Sequence, residues 1–140
     1  MVQNRMTTSR GKLIAFAQSP RVIRDVLRLA SPRMEVQTHR TAASALAALQ
    51  SAGPDAVLVA EHFHPPRFAA TTEPGAMVLL EAAKVRCPTT NRVLLVPNDD
   101  LASMISLLHD GAAKSLVPLP IVAKEFVLAI CPDAQFRQTA

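Results

Sequence analysis

Leu13-Ile14-Ala15-Phe16-Ala17-Gln18-Ser19-Pro20 places a strand and a helix start side by side. Leu13 to Ala17 are all apolar with no alternation, the pattern of a strand buried on both faces. Ser19 is a preferred N-cap residue, and Pro20 suits the first helical position, where its missing N–H costs nothing. Beyond it Val22, Ile23, Val26, Leu27 and Ala30 recur at helical spacing, while Arg21, Arg24 and Arg28 share the opposite face. A doubly buried strand that runs straight into an amphipathic helix is one βα unit of a parallel sheet.

The same unit recurs along the chain. Ser31-Pro32 ends the first helix, and residues 34–38 alternate as a second, more exposed strand. Thr41 caps a helix over 42–49, which Gly53-Pro54 closes. Val57-Leu58-Val59-Ala60 is the most apolar strand. Residues 61–74 hold Pro65, Pro66 and Pro74 and read as an irregular loop. A third helix over 76–86, a fourth strand over 92–96 and a fourth helix over 101–109 follow, with Asp99-Asp100 as its cap. The last unit is a strand over 114–117 and a helix over 121–130. Strict alternation predicts a flavodoxin-like, doubly wound (βα)5 domain, its five parallel strands in the order 2-1-3-4-5. Two helices lie on one face and three on the other. The first and fifth share a face, so that Val22, Ile23, Val26 and Leu27 pack near Phe126, Val127 and Ile130. The expected domain spans 12–132, between a flexible arm at 1–11 and a tail at 133–140.

Composition narrows the function. The 140 residues are 49% apolar and 19% charged, enough for one core and too little charge for a disordered chain. No apolar run is long enough to span a bilayer, and no secretory signal pattern is visible. Cys87 and Cys131 are too few for a disulfide scaffold or a thiolate zinc site, which points to a reducing cytoplasmic setting. Residues 1–40 carry eight basic groups against Asp25 and Glu35, more than the whole net charge of +4. A basic end suits nucleic acid or an acidic partner, yet Tyr and Trp are absent and Phe numbers five, so stacking platforms for single strands are missing.

The wording of the sequence goes further. Residues 12–27 resemble the opening of bacterial response-regulator receiver domains, down to Pro20 and Arg24. Ala45-Leu46-x-x-Leu49 followed by Pro54-Asp55-x-Val57-Leu58 resembles the receiver passage from second helix to third strand. Gly111-Ala112 before a short strand, with a proline after it, is similar to the last receiver landmark. The resemblance implies phosphoryl transfer to an aspartate ending the third strand. It also implies an acidic pair for Mg²⁺ after the first strand, a hydroxyl on the fourth and a lysine on the fifth. Carried over residue by residue, the acidic pair falls on Ala17 and Gln18 and the phosphoacceptor on Ala60, with Glu61 next to it. The hydroxyl falls on Val96 or Pro97, the lysine on Pro118 or Leu119, and the aromatic switch residue on Ser115. The resemblance is therefore to a degenerate pseudo-receiver, with Glu61 at most a permanent charge.

The function expected is a phosphorylation-independent protein-interaction module of a bacterial signalling system, with no enzymatic activity, cofactor or metal. Receivers commonly present the fourth helix, fifth strand and fifth helix to partners. Ser106, Lys114, Leu116, Val122 and Phe126 bound that surface, and Phe63, Arg67 and Phe68 give the 61–74 loop the mixture of an interface core. A signalling protein is the expected partner, and a homodimer is compatible with the sequence. The alternative is a basic accessory domain that binds nucleic acid through Arg21, Arg24, Arg28 and the N-terminal arm, the less favoured reading. Glu61-His62-x-His64 is a weak metal candidate, because no fourth ligand is placed. With the acidic pair gone, the pocket edge is expected to be neutral and stable without Mg²⁺, and Ala60→Asp, at a strand end near solvent, to cost little.

Overall fold

The structure, a computed structural model, describes residues 11–63 and 75–132. Five strands form one sheet in the order β2-β1-β3-β4-β5: β1 Gly11–Phe16, β2 Met34–His39, β3 Val57–Glu61, β4 Asn91–Pro97 and β5 Ser115–Leu119. Every neighbouring pair is parallel. One transverse row runs His39, Phe16, Ala60, Leu94, Leu116 across the sheet and fixes its register. Among the described residues five α-helices connect or follow the strands: α1 Pro20–Ala30, α2 Ala42–Ala52, α3 Ala76–Arg86, α4 Ser106–Asp110 and α5 Ala123–Ile130. This is the doubly wound topology that the alternating pattern predicts.

The core has two layers, one on each face of the sheet. Ile14, Phe16, Leu58, Ala60, Leu94 and Val96 point to the side covered by α2, α3 and α4. Leu13, Ala15, Val59, Val93, Leu95 and Val117 point to the other side, where Val22 and Val26 of α1 meet Phe126 and Ile130 of α5. Alternate residues of one strand feed opposite layers, which is why the strands read as unbroken apolar runs. Each fully buried Leu or Phe contributes roughly 1.5–3 kcal/mol. Phe126 is wholly buried in this second layer, so it is a core residue and not the interaction residue expected from the sequence.

Helix boundaries follow local chemistry. The Thr41 hydroxyl accepts the Ser44 N–H at 3.2 Å and starts α2, and Gly53, at φ 97°, ends it. Gly111, at φ 82°, closes α4 in the left-handed conformation. The fourth helix is shorter than expected. Residues 98–100 and 102–104 are 3-10 turns, and only Ser106–Asp110 is α-helical. Leu101 and Met104 pack against the core and Leu107 enters it, a three-residue spacing that 3-10 turns satisfy. Asp99 and Asp100 therefore lie within a 3-10 turn and do not cap α4. Gly11, expected in the arm, is the first residue of β1 and pairs with Met34. The rest of the arm, the tail from 133, and Arg67 and Phe68 lie outside the described residues.

At the amino end of the sheet Arg92 of β4 is 3% exposed, and its guanidinium donates to the carbonyls of Cys87, Pro88, Thr90, Gly111 and Ala112 at 2.8–3.2 Å. Burial pushes its pKa down from the usual arginine value, and the neighbouring Cys87 thiol group opposes that shift. This side chain ties the α3–β4 and α4–β5 connections together beneath the core.

Candidate functional site

The carboxyl ends of the strands gather most of the positions singled out in the sequence. β3 is buried along its whole length, and that burial extends to its last residue, Glu61, which is 4% exposed. One carboxylate oxygen, Oε1, accepts the backbone N–H of Gln18 at 2.8 Å and that of Ser19 at 3.0 Å. These N–H groups belong to the turn between β1 and α1, where the Ser19 side chain makes no capping bond of its own. A carboxylate beside the first turn of a helix is also favoured by the helix dipole. Gln18 extends the connection, since its side-chain amide donates to the Arg40 carbonyl after β2. Glu61 and Gln18 thus clasp the ends of β3, β1 and β2.

The remaining positions are apolar or constrained. Ala17 is buried in the α1–α5 layer, and Ala60 and Val96 are buried in the α2–α4 layer. Pro118 stands opposite Val96 in the sheet register, and Leu119 stands opposite Pro97. Ala60 is fully buried rather than near solvent, so Ala60→Asp would place a carboxylate in the core and cost several kcal/mol unless it found donors. That corrects the small cost expected from the sequence. Glu61, in turn, is a buried hydrogen-bonding group. The signal for its burial was present, since it follows an unbroken apolar strand, whereas its backbone donors could not be read from residue identity.

Next to the clasp, the His62 N–H donates to the Leu95 carbonyl at 2.8 Å, and its Nε2 lies 3.9 Å from Asp100 Oδ2. His64 lies outside the described residues, and among the described residues no group of three or more His, Cys, Asp or Glu side chains could hold a metal. A cleft of about 400 Å³ opens beside the site, between Arg21, Val22 and Asp25 of α1, Pro97, Asn98 and Asp99 after β4, and Leu119, Pro120 and Ile121 after β5.

Of the expected interaction residues, Ser106, Lys114 and Val122 are exposed and Leu116 is half-buried. Phe63 packs against the α2–α4 layer, its ring 6.1 Å from that of Phe16, so it serves the core margin more than an open interface. Arg21, Arg24 and Arg28 are exposed along α1, with Arg28 3.6 Å from Asp25. Cys87 and Cys131 are both half-buried. No helix among the described residues is long and apolar enough to cross a membrane.

No protein-family profile matches the sequence, and no curated protein matches it. Solved structures do. The signal receiver domain of an HD domain-containing protein from Pseudomonas fluorescens Pf-5 is similar at TM-score 0.68 and 21% identity, over 94% of this chain and 99% of that one. The N-terminal receiver domain of a two-component response regulator from Bacteroides fragilis is similar at TM-score 0.73 and 18% identity, over 89% and 96%. A structure described as adenylate cyclase from Rhodopirellula baltica is similar at TM-score 0.73 and 17% identity, over 88% and 86%. The chain therefore has the flavodoxin-like fold of response-regulator receiver domains.

Proposed function

We propose that this chain is a phosphorylation-independent protein-interaction module of a bacterial signalling system, built on the receiver fold with a degenerate phosphorylation site. The observation that carries the reading is the Glu61 clasp. One oxygen of the strand-end carboxylate is already engaged by the Gln18 and Ser19 N–H groups, and the adjoining positions Ala17 and Ala60 offer no oxygen ligand. Mg²⁺ needs hard oxygen ligands, and phosphoryl transfer needs a positioned nucleophile and cations around the moving group. Ala60, Val96, Pro118 and Leu119 supply neither. A receiver fold with its strand ends already tied can present a surface without a switch. Incubation with Mg²⁺ and beryllofluoride or acetyl phosphate should leave the amide spectrum of the 140-residue chain unchanged. A specific, saturable shift around Ala60 and Gln18 would sink the reading.

A second reading has its own observation, the row of exposed arginines on α1. If the module binds nucleic acid there, affinity falls steeply with salt through counterion release. Filter binding at two salt concentrations separates the readings, because a protein-only module gives no saturable complex.

A further inference from the structure

We infer that Cys87 is a modification site, where a small carboxylate-bearing disulfide exchanges with the thiol and leaves a low-molecular-weight thiol bound in the cavity beside it. The cavity lies at the amino end of the sheet, between the last turn of α2 and the connection from α3 to β4. Its volume is about 380 Å³, within the range of small-molecule sites. Leu49 and the Gly53-Pro54 turn line it from α2, and Arg86, Cys87 and Thr90 line it from the α3–β4 connection. The site is remote from the strand-end clasp and does not depend on what that clasp does.

Two independent observations point to an occupant. Thr90 is wholly buried, yet its hydroxyl oxygen, Oγ1, has no hydrogen-bond partner among the described residues. A buried hydroxyl is ordinarily matched by protein, water or ligand, and this one belongs to a residue of the cavity wall. The second observation is the thiol. Cys87 forms no disulfide, is half-buried, and stands in the same wall. Reactive thiols sit in partly exposed, electropositive surroundings.

Charge selects the chemistry of the occupant. Among the described residues Arg86 is the one charged group that lines the cavity. The Arg92 guanidinium, which feels the charge of the Cys87 sulfur, donates to the carbonyls of Cys87, Pro88 and Thr90. Those oxygens would otherwise leave the end of α3 negative. The wall around the thiol is therefore positive, which favours a carboxylate-bearing molecule over a cationic one. Thr90 supplies a hydroxyl donor for a carboxylate or amide oxygen of the same molecule. The exchange needs no further oxidant. The Cys87 thiolate attacks one sulfur of the disulfide, and a new S–S bond forms as the old one breaks. The second thiol leaves with the electron pair and takes up the proton that Cys87 gave.

Cys131 is an internal control. It too ends a helix, precedes a proline and is half-buried, but it lines neither this cavity nor the cleft at the strand ends. The test incubates the full reduced chain with oxidised glutathione, which is net negative, and follows adducts by intact-mass and peptide mass spectrometry. Cys87 should react about tenfold or more faster than Cys131 in the folded chain, and within about threefold of it in urea. Cationic cystamine should react with folded Cys87 more slowly than oxidised glutathione does. Arg86→Gln should lower the glutathione rate about threefold or more and leave that of uncharged 2-hydroxyethyl disulfide unchanged. Thr90→Val, the same shape without the hydroxyl, should lower the equilibrium constant of the glutathione adduct about threefold or more. Circular dichroism melts confirm that both variants are folded. A Cys87 that resists exchange, reacts no faster than Cys131, or prefers cystamine overturns the inference. So does an adduct that Arg86→Gln and Thr90→Val both leave unchanged.

Discussion

Glu61 combines two roles that usually belong to different residues. It closes a strand, and it caps the turn before a helix on another strand, through two bonds from a single oxygen. Removing it leaves the Gln18 and Ser19 N–H groups without an acceptor in a partly buried site, at about 1–3 kcal/mol for an unmet buried donor. Glu61→Ala should therefore lower unfolding free energy by about 2–3 kcal/mol in urea titration. Glu61→Gln keeps an oxygen at the same place and loses only the charge assistance, so about 1 kcal/mol is expected. Equal stability of Glu61→Ala and the parent chain would show that water replaces the carboxylate without cost.

The elements test a different balance, between local preference and tertiary packing. Gly111 ends α4 at φ 82°, where an L side chain is strained, while the space above it is open apart from Lys84 at 3.9 Å. Gly111→Ala should then cost about 1–2 kcal/mol through backbone conformation alone, read as a lower thermal midpoint. A neutral result would mean the helix end rearranges. The strands were legible because doubly buried strands have one pattern, and Gly53-Pro54 and Thr41 mark α2 by ordinary turn and cap chemistry. The fourth connection was misread because Leu101, Met104 and Leu107 fit both a 3-10 and an α period over so short a span. The burial of Phe126 was half legible. Its packing partners on α1 were expected, yet the same residue was assigned to a surface, and a side chain on an eight-residue helix cannot face both ways. The clasp was the least legible part, because its donors are backbone N–H groups, which leave no trace in residue identity.

Across the whole molecule the two faces of the sheet carry different side chains outward. One bears the arginine row of α1, the other the exposed Val78 and Val85 of α3, and the strand ends between them are held by a carboxylate that has no second acid beside it among Ala17, Gln18 and Ala60. An acidic cluster would repel itself until a cation bound, and its stability would rise with Mg²⁺. Here that coupling has no chemical basis. A ligand that binds only the folded state at a hundred times its dissociation constant adds about 2.7 kcal/mol, several degrees for a domain of this size. Melts with and without millimolar Mg²⁺ should coincide for the unmutated chain. They should also coincide for Glu61→Gln, since neither form offers the paired hard ligands a small dication demands. A rise of several degrees in the parent chain that Glu61→Gln abolishes would place a cation at Glu61, and the carboxylate would then be a ligand before it is a brace.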